Sequence, residues 1–97
     1  MKRDEALTLL QAHKTEMISR FGVKQLALFG STARDEARED SDVDVLVDFV
    51  EPATFHGYFD LKFYLEGLLG HEVDLVCDKA VREPIRPHIE RDAIRVA

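Results

Sequence analysis

Between Asp4 and Phe21, apolar residues recur at Ala6, Leu7, Leu10, Met17, Ile18 and Phe21 with charged residues between them. That spacing predicts an amphipathic helix, and Gly22 is placed to end it. LALF, Leu26 to Phe29, is a short apolar run bounded by Lys24-Gln25 and Gly30, which reads as a buried strand. Gly30 and Ser31 turn the chain, and Ser31 is placed to N-cap a short helix through TARDEA that frays before Asp40-Ser41. Val43 to Phe49 is the second predicted strand, and Glu51 to Gly57 a loop punctuated by Pro52 and Gly57. Tyr58, Leu61, Leu65, Leu68 and Leu69 return to helical spacing up to Gly70, with Gly67 weakening that helix slightly. Val73 to Cys77 is a third strand. After it, Ile85, Ile89, Ala93 and Ile94 predict a C-terminal helix with Pro84 near its first turn and Pro87 tolerable there. Helices and strands alternate from end to end, which predicts an α/β domain with a small sheet.

Composition narrows the function classes. A chain of 97 residues, 45% hydrophobic and 33% charged, fits one domain over residues 1–97 with one modest core. An enzyme of this size has little surface to enclose a large substrate, so a partner completing the site is expected. The net charge of −6 and pI of about 5.1 disfavour DNA or RNA as partners, although a local basic patch is compatible with them. Cys77 is the single cysteine, expected as a small apolar residue at a strand end, and a chain without a disulfide suits the reducing cytoplasm. No apolar run approaches the roughly 20 residues that span a bilayer, and the start MKRDEALTLL has acidic residues where a signal peptide is apolar. No membrane association is expected.

The candidate chemistry lies in the second and third strands. Side chains alternate along a strand, so Asp42 and Asp44 share one face while Val43, Val45 and Val47 take the other. Two converging carboxylates repel and raise each other's pKa, which favours a bound cation, and oxygen ligands suit Mg²⁺ or Mn²⁺. Asp74 interrupts the apolar third strand and reaches the same patch if that strand pairs with the second. Three carboxylates can hold two metal ions roughly 3.5 to 4 Å apart, an arrangement suited to in-line phosphoryl displacement. Gly30 lets a backbone approach a phosphate, and Ser31 opens a helix whose first N–H groups are free. Each feature alone is commonplace: a DxD occurs on solvated strand edges, Gly-Ser is usually a turn, and an aspartate such as Asp74 can lie exposed on an edge strand. Their ordered combination carries the reading.

LFGSTAR, SDVDVLVDF and LLGHEVDLV, in that order, resemble the minimal nucleotidyltransferases, a small branch of the polymerase-beta-like superfamily. Gly30, Ser31, Asp42 and Asp44 match the family's pattern, including the ten-residue spacer from Thr32 to Ser41. The resemblance implies a polymerase-beta-like nucleotidyltransferase core, a small mixed sheet packed with helices. It also implies that Asp42 and Asp44 ligate Mg²⁺, that Asp74 is the third acidic residue, and that Gly30 and Ser31 bind the triphosphate of ATP. Arg34 is placed either to reach a phosphate or to pair with Asp40 or Asp42, and Ser41 to cap or orient the DxD strand. Asp35 stands where many relatives have glycine; if that position is left-handed, Asp is among the better replacements.

Small members of this family often accompany a HEPN-domain toxin, an RNase, as its antitoxin, and the resemblance implies transfer of AMP from ATP to a tyrosine on that partner. Phe55, Phe59 and Phe63 lie off the Leu61 and Leu65 stripe, either as an exposed patch for a partner or packed against the body of the protein. His13, His56, His71 and His88 are scattered without ligand spacing. Two rival readings stand beside catalysis on a toxin: an antitoxin that only covers its toxin, and transfer to a small molecule.

Overall fold

A computed structural model describes residues 1–52 and 54–97, with Phe55 described by its backbone alone. Its elements are α1 (Arg3–Ala12), α2 (Lys14–Phe21), β1 (Val23–Phe29), α3 (Gly30–Ala33), β2 (Val43–Phe49), α4 (Phe55–Leu69), β3 (Val73–Cys77), a 3-10 turn (Asp78–Ala80), α5 (Arg86–Asp92) and β4 (Ile94–Arg95). The strands form one mixed sheet in the order β3-β2-β1-β4, with β2 and β3 parallel and the other pairs antiparallel.

Outside the short helix α3, four boundaries differ from the pattern-based expectation, each for a local reason. The first helix is interrupted at His13, whose φ of −111° and ψ of 12° leave helical space, and whose N–H bonds to the Leu10 carbonyl at 3.2 Å. Ala6, Leu10 and Met17 are buried on either side of the break, whereas Ile18 emerges 41% exposed. β1 begins at Val23 rather than Leu26, because Val23 pairs with Phe49 across a bulge that leaves Lys24 and Gln25 in solvent. α4 begins inside the expected loop: the Thr54 hydroxyl accepts from the Gly57 N–H at 3.0 Å, an N-cap that outweighs the glycine. The C-terminal helix stops at Asp92, and Ile94-Arg95 instead pairs with Leu28 and Ala27, which satisfies part of the free edge of β1.

Alternation along the strands divides the molecule into two faces. Val43, Val45 and Val47, with Leu26, Leu28, Val73 and Leu75 of the neighbouring strands, are buried under α1, α2 and α4, where Leu10, Met17, Leu61 and Leu65 complete the core. The opposite face carries Asp42, Asp44, Leu46 and Asp48, and the segment from the 3-10 turn to α5 lies against part of it. Cys77 ends β3 half-buried as a free thiol, and burial raises its pKa. Among the described residues no helix is long and apolar enough to cross a membrane.

Two glycines give opposite outcomes on substitution. Gly22 closes α2 with φ at 68°, so Gly22→Ala should destabilise the fold by about 1 kcal/mol although the space around it is open. Gly67 lies inside α4 with nothing within 4 Å of an added Cβ, so Gly67→Ala should stabilise by roughly 0.5 to 1 kcal/mol. Urea unfolding of the two variants checks both signs.

Candidate active site

Strand register assembles the site. β2 and β3 pair in parallel with Asp44 opposite Asp74, and β1 pairs with β2 so that Phe29 stands opposite Asp44. The end of β1 and the starts of β2 and β3 therefore lie side by side, and the turn at Gly30 follows directly. The N–H of Val43 bonds to the Glu72 carbonyl at 2.9 Å and secures the start of this pairing. The expected pairing of the second and third strands is thus present.

Asp44 is half-buried, while Asp42 and Asp74 are exposed. Burial raises the Asp44 carboxyl to about 6; the negative charges of Asp74 and Asp42 and a hydrogen bond between the Asp44 and Asp74 side chains act in the same direction, against the opposing pull of Arg34. Asp42 bears on Asp44 through its charge. Among the described residues, no three His, Cys, Asp or Glu side chains gather closely enough to hold a metal ion as they stand.

Gly30 meets Asp44 from the other side. It holds φ at 71°, and an added Cβ would lie 2.9 Å from Asp44 Cγ, in the space of the carboxylate. Glycine is required here by the backbone and by the close approach alike. Ser31, expected as the N-cap, is instead a first-turn residue of α3, which begins at Gly30 behind Phe29 with no side-chain cap. The helix closes with the Glu36 N–H on the Ser31 carbonyl at 2.8 Å and the Asp35 N–H on the Thr32 carbonyl at 3.1 Å. Asp35 takes the left-handed position with φ at 60°, and its Oδ1 accepts the Arg3 N–H at 3.0 Å.

Over residues 10–95 the chain matches the family described as "Nucleotidyltransferase domain". The chain belongs to that family. It is 44% identical over 93 residues to "Protein adenylyltransferase MntA" of Thermococcus cleftensis, covering 96% of this chain and 94% of that one. A solved structure of a minimal nucleotidyltransferase superposes with a TM-score of 0.81 at 39% identity, over 97% of this chain and 95% of that one. The fold also matches, with a TM-score of 0.68 at 16% identity over 94% of this chain and 71% of that one, a complex of the tri-AMPylated Shewanella oneidensis HEPN toxin with its MNT antitoxin. The fold is therefore the polymerase-beta-like nucleotidyltransferase fold, as the resemblance implied.

In this nucleotidyltransferase Arg34 pairs with neither Asp40 nor Asp42. Its guanidinium donates to Asp92 of α5 at 2.6 Å and to Glu36 at 3.2 Å, and these two hydrogen bonds raise its pKa. Ser41 accepts the Arg38 N–H on its hydroxyl at 3.0 Å and returns its own N–H to the Arg38 carbonyl, closing the turn into β2. Tyr58 donates its hydroxyl to the Leu75 carbonyl, tying α4 to β3 one residue beyond Asp74. No spacing in the sequence signals that bond or the Arg34–Asp92 pair. Of the aromatic trio, Phe63 is 61% exposed and lies 5.9 Å from the half-buried Phe59 ring; the side chain of Phe55 is outside the described residues.

The Asp44 shift has a measurable consequence. A carboxyl raised from 3.8 to about 6 on folding keeps in the folded state a proton that the unfolded chain has already lost. Stability from this group is full at the acid end and is lost as pH climbs to about 6. In cation-free buffer, Asp44→Asn should match the parent near pH 4 and exceed it by about 1 kcal/mol at pH 7, after allowance for partial exposure to solvent. Chemical unfolding across that range, with a chelator present, checks it.

Proposed function

We propose that this nucleotidyltransferase transfers AMP from ATP to a tyrosine hydroxyl of a HEPN-domain toxin and thereby acts as its antitoxin in the cytoplasm. The observation that carries the reading is the contact of Asp44 with Asp74 beside the glycine that a phosphate can approach. The name of the 44%-identical relative supports a protein as the acceptor, and the complex of toxin with antitoxin supports a HEPN partner.

The residues present fit Mg²⁺. Their donors are hard oxygens, and the charges of Asp74 and Asp42, which together with burial raise the Asp44 pKa, are ones that a divalent cation would offset. Asp42, Asp44 and Asp74 would hold the ions. When bound, two Mg²⁺ supply charge neutralisation at the attacking hydroxyl and at the departing pyrophosphate. Gly30 and Ser31 seat the phosphates against the first N–H groups of α3, which lack intrahelical partners. Arg34, now on Asp92, is close enough to act on the charge of Asp44 and stands at the same turn. The hydroxyl oxygen forms a bond to the α-phosphorus as the bond to the β-phosphate oxygen breaks, and Asp74 accepts the hydroxyl proton.

Intact-mass analysis of a HEPN protein encoded beside this chain, incubated with ATP and Mg²⁺, tests the reading. Wild type should add mass in whole AMP units. Asp44→Ala should keep its fold and lose at least about three orders of magnitude in transfer, on the scale of deleting one transition-state stabiliser. Undiminished transfer by Asp44→Ala would sink the carboxylate assignment. Tight toxin binding without transfer by wild type would favour an antitoxin that acts by covering its partner.

A further inference from the structure

Beside the carboxylates, the open face of the sheet carries an apolar groove of about 380 Å³ whose apolar side chains have no part in the roles above. β1 and β3 supply Phe29 and Val76, and the segment beyond the 3-10 turn supplies Val81, Ile85 and Ile89. Asp74 and Arg82 belong to the same lining. Ile89 is buried and belongs to the packing of α5, but Ile85 is 52% exposed and contributes nothing to the core cluster.

We infer that this groove seats the aromatic ring of the acceptor, with Phe29, Val81 and Ile85 as specificity-determining residues for transfer. The inference rests on the proposed transfer to tyrosine and adds the surface that selects it. Position is the first argument, because a ring lying among these side chains can place a group at its far end against the Asp74 carboxylate. Tyrosine has that shape: an apolar body with its hydroxyl at the tip. Serine and threonine carry the hydroxyl one carbon from the backbone and leave such a groove unfilled. Size is the second argument, since the volume lies at the lower end of pockets that hold small ligands and suits one ring with its flanking backbone. Composition is the third. Apart from Asp74 and Arg82 the lining is apolar, which favours a phenol ring over a charged or strongly hydrated acceptor.

The test is steady-state transfer to the HEPN acceptor with Mg²⁺, varying acceptor and ATP separately, for wild type, Ile85→Asp, Val81→Ser and Ile85→Leu. Ile85 is exposed, so Ile85→Asp should melt within a few degrees of wild type. It should raise the KM for acceptor at least tenfold and leave the KM for ATP within twofold. Val81→Ser should shift the acceptor KM in the same direction, and Ile85→Leu should restore it. Unchanged acceptor KM in both Ile85→Asp and Val81→Ser, with wild type active, overturns the inference and leaves the proposed function standing. A rise in the ATP KM instead assigns the groove to the nucleotide and also overturns it. Absence of transfer by wild type refutes the functional reading and the inference together.

Discussion

The parallel pairing of β2 with β3 sets Asp44 opposite Asp74, and the site is organised around the negative charge this creates. The same alternation that sends the two aspartates to one face sends Val43, Val45, Val73 and Leu75 into the core on the other. A slip of one residue would bury the carboxylates and expose the valines, so hydrophobic packing fixes the register that the chemistry needs. The electrostatic cost falls on Asp44, the half-buried member, whose pKa burial and the neighbouring carboxylates raise to about 6. On the proposed reading, a divalent cation from solution would offset the charge that this carboxylate pair concentrates.

Around that pair, neighbouring elements have little freedom. Gly30 cannot take a Cβ without displacing the Asp44 carboxylate, and Asp35 at φ 60° closes the short helix that follows. Arg34 then joins this helix to α5 through Asp92, and α5 with the segment before it lies along the groove beside Asp74. The turn at Gly30, the carboxylates and the groove beside Asp74 are thus connected through contacts spanning residues from Gly30 to Asp92. In a chain of this size, a single sheet end serves all three.

Much of this was legible in the sequence where the signal was local. Alternation placed Asp42 and Asp44 on one face, Asp74 could join them if its strand paired with theirs, and Asp35 was a tolerable residue should its position be left-handed; the pairing and the φ of 60° meet both conditions. What could not be read depends on contacts distant in the chain. Ile94-Arg95 looked like the end of a helix because its pairing with β1 is invisible in its own spacing. Arg34 has acidic neighbours nearby in sequence yet bonds to Asp92, 58 positions away. The break at His13 and the start of α4 at Thr54 turn on backbone geometry and a single cap, which periodicity does not encode. The motif singled out residues that gather at one end of the sheet, but Gly30's fit against Asp44 and the groove beside Asp74 emerge only from the assembled sheet.

The central claim is that the Asp44 and Asp74 pair exists to receive a divalent cation. Paramagnetic broadening of amide NMR signals by Mn²⁺, in the presence of a non-hydrolysable ATP analogue, addresses it without any partner protein. The account predicts broadening centred on residues 30–34, 42–44 and 73–75 that disappears in Asp44→Asn. Broadening centred elsewhere, or persisting unchanged in that variant, would contradict it.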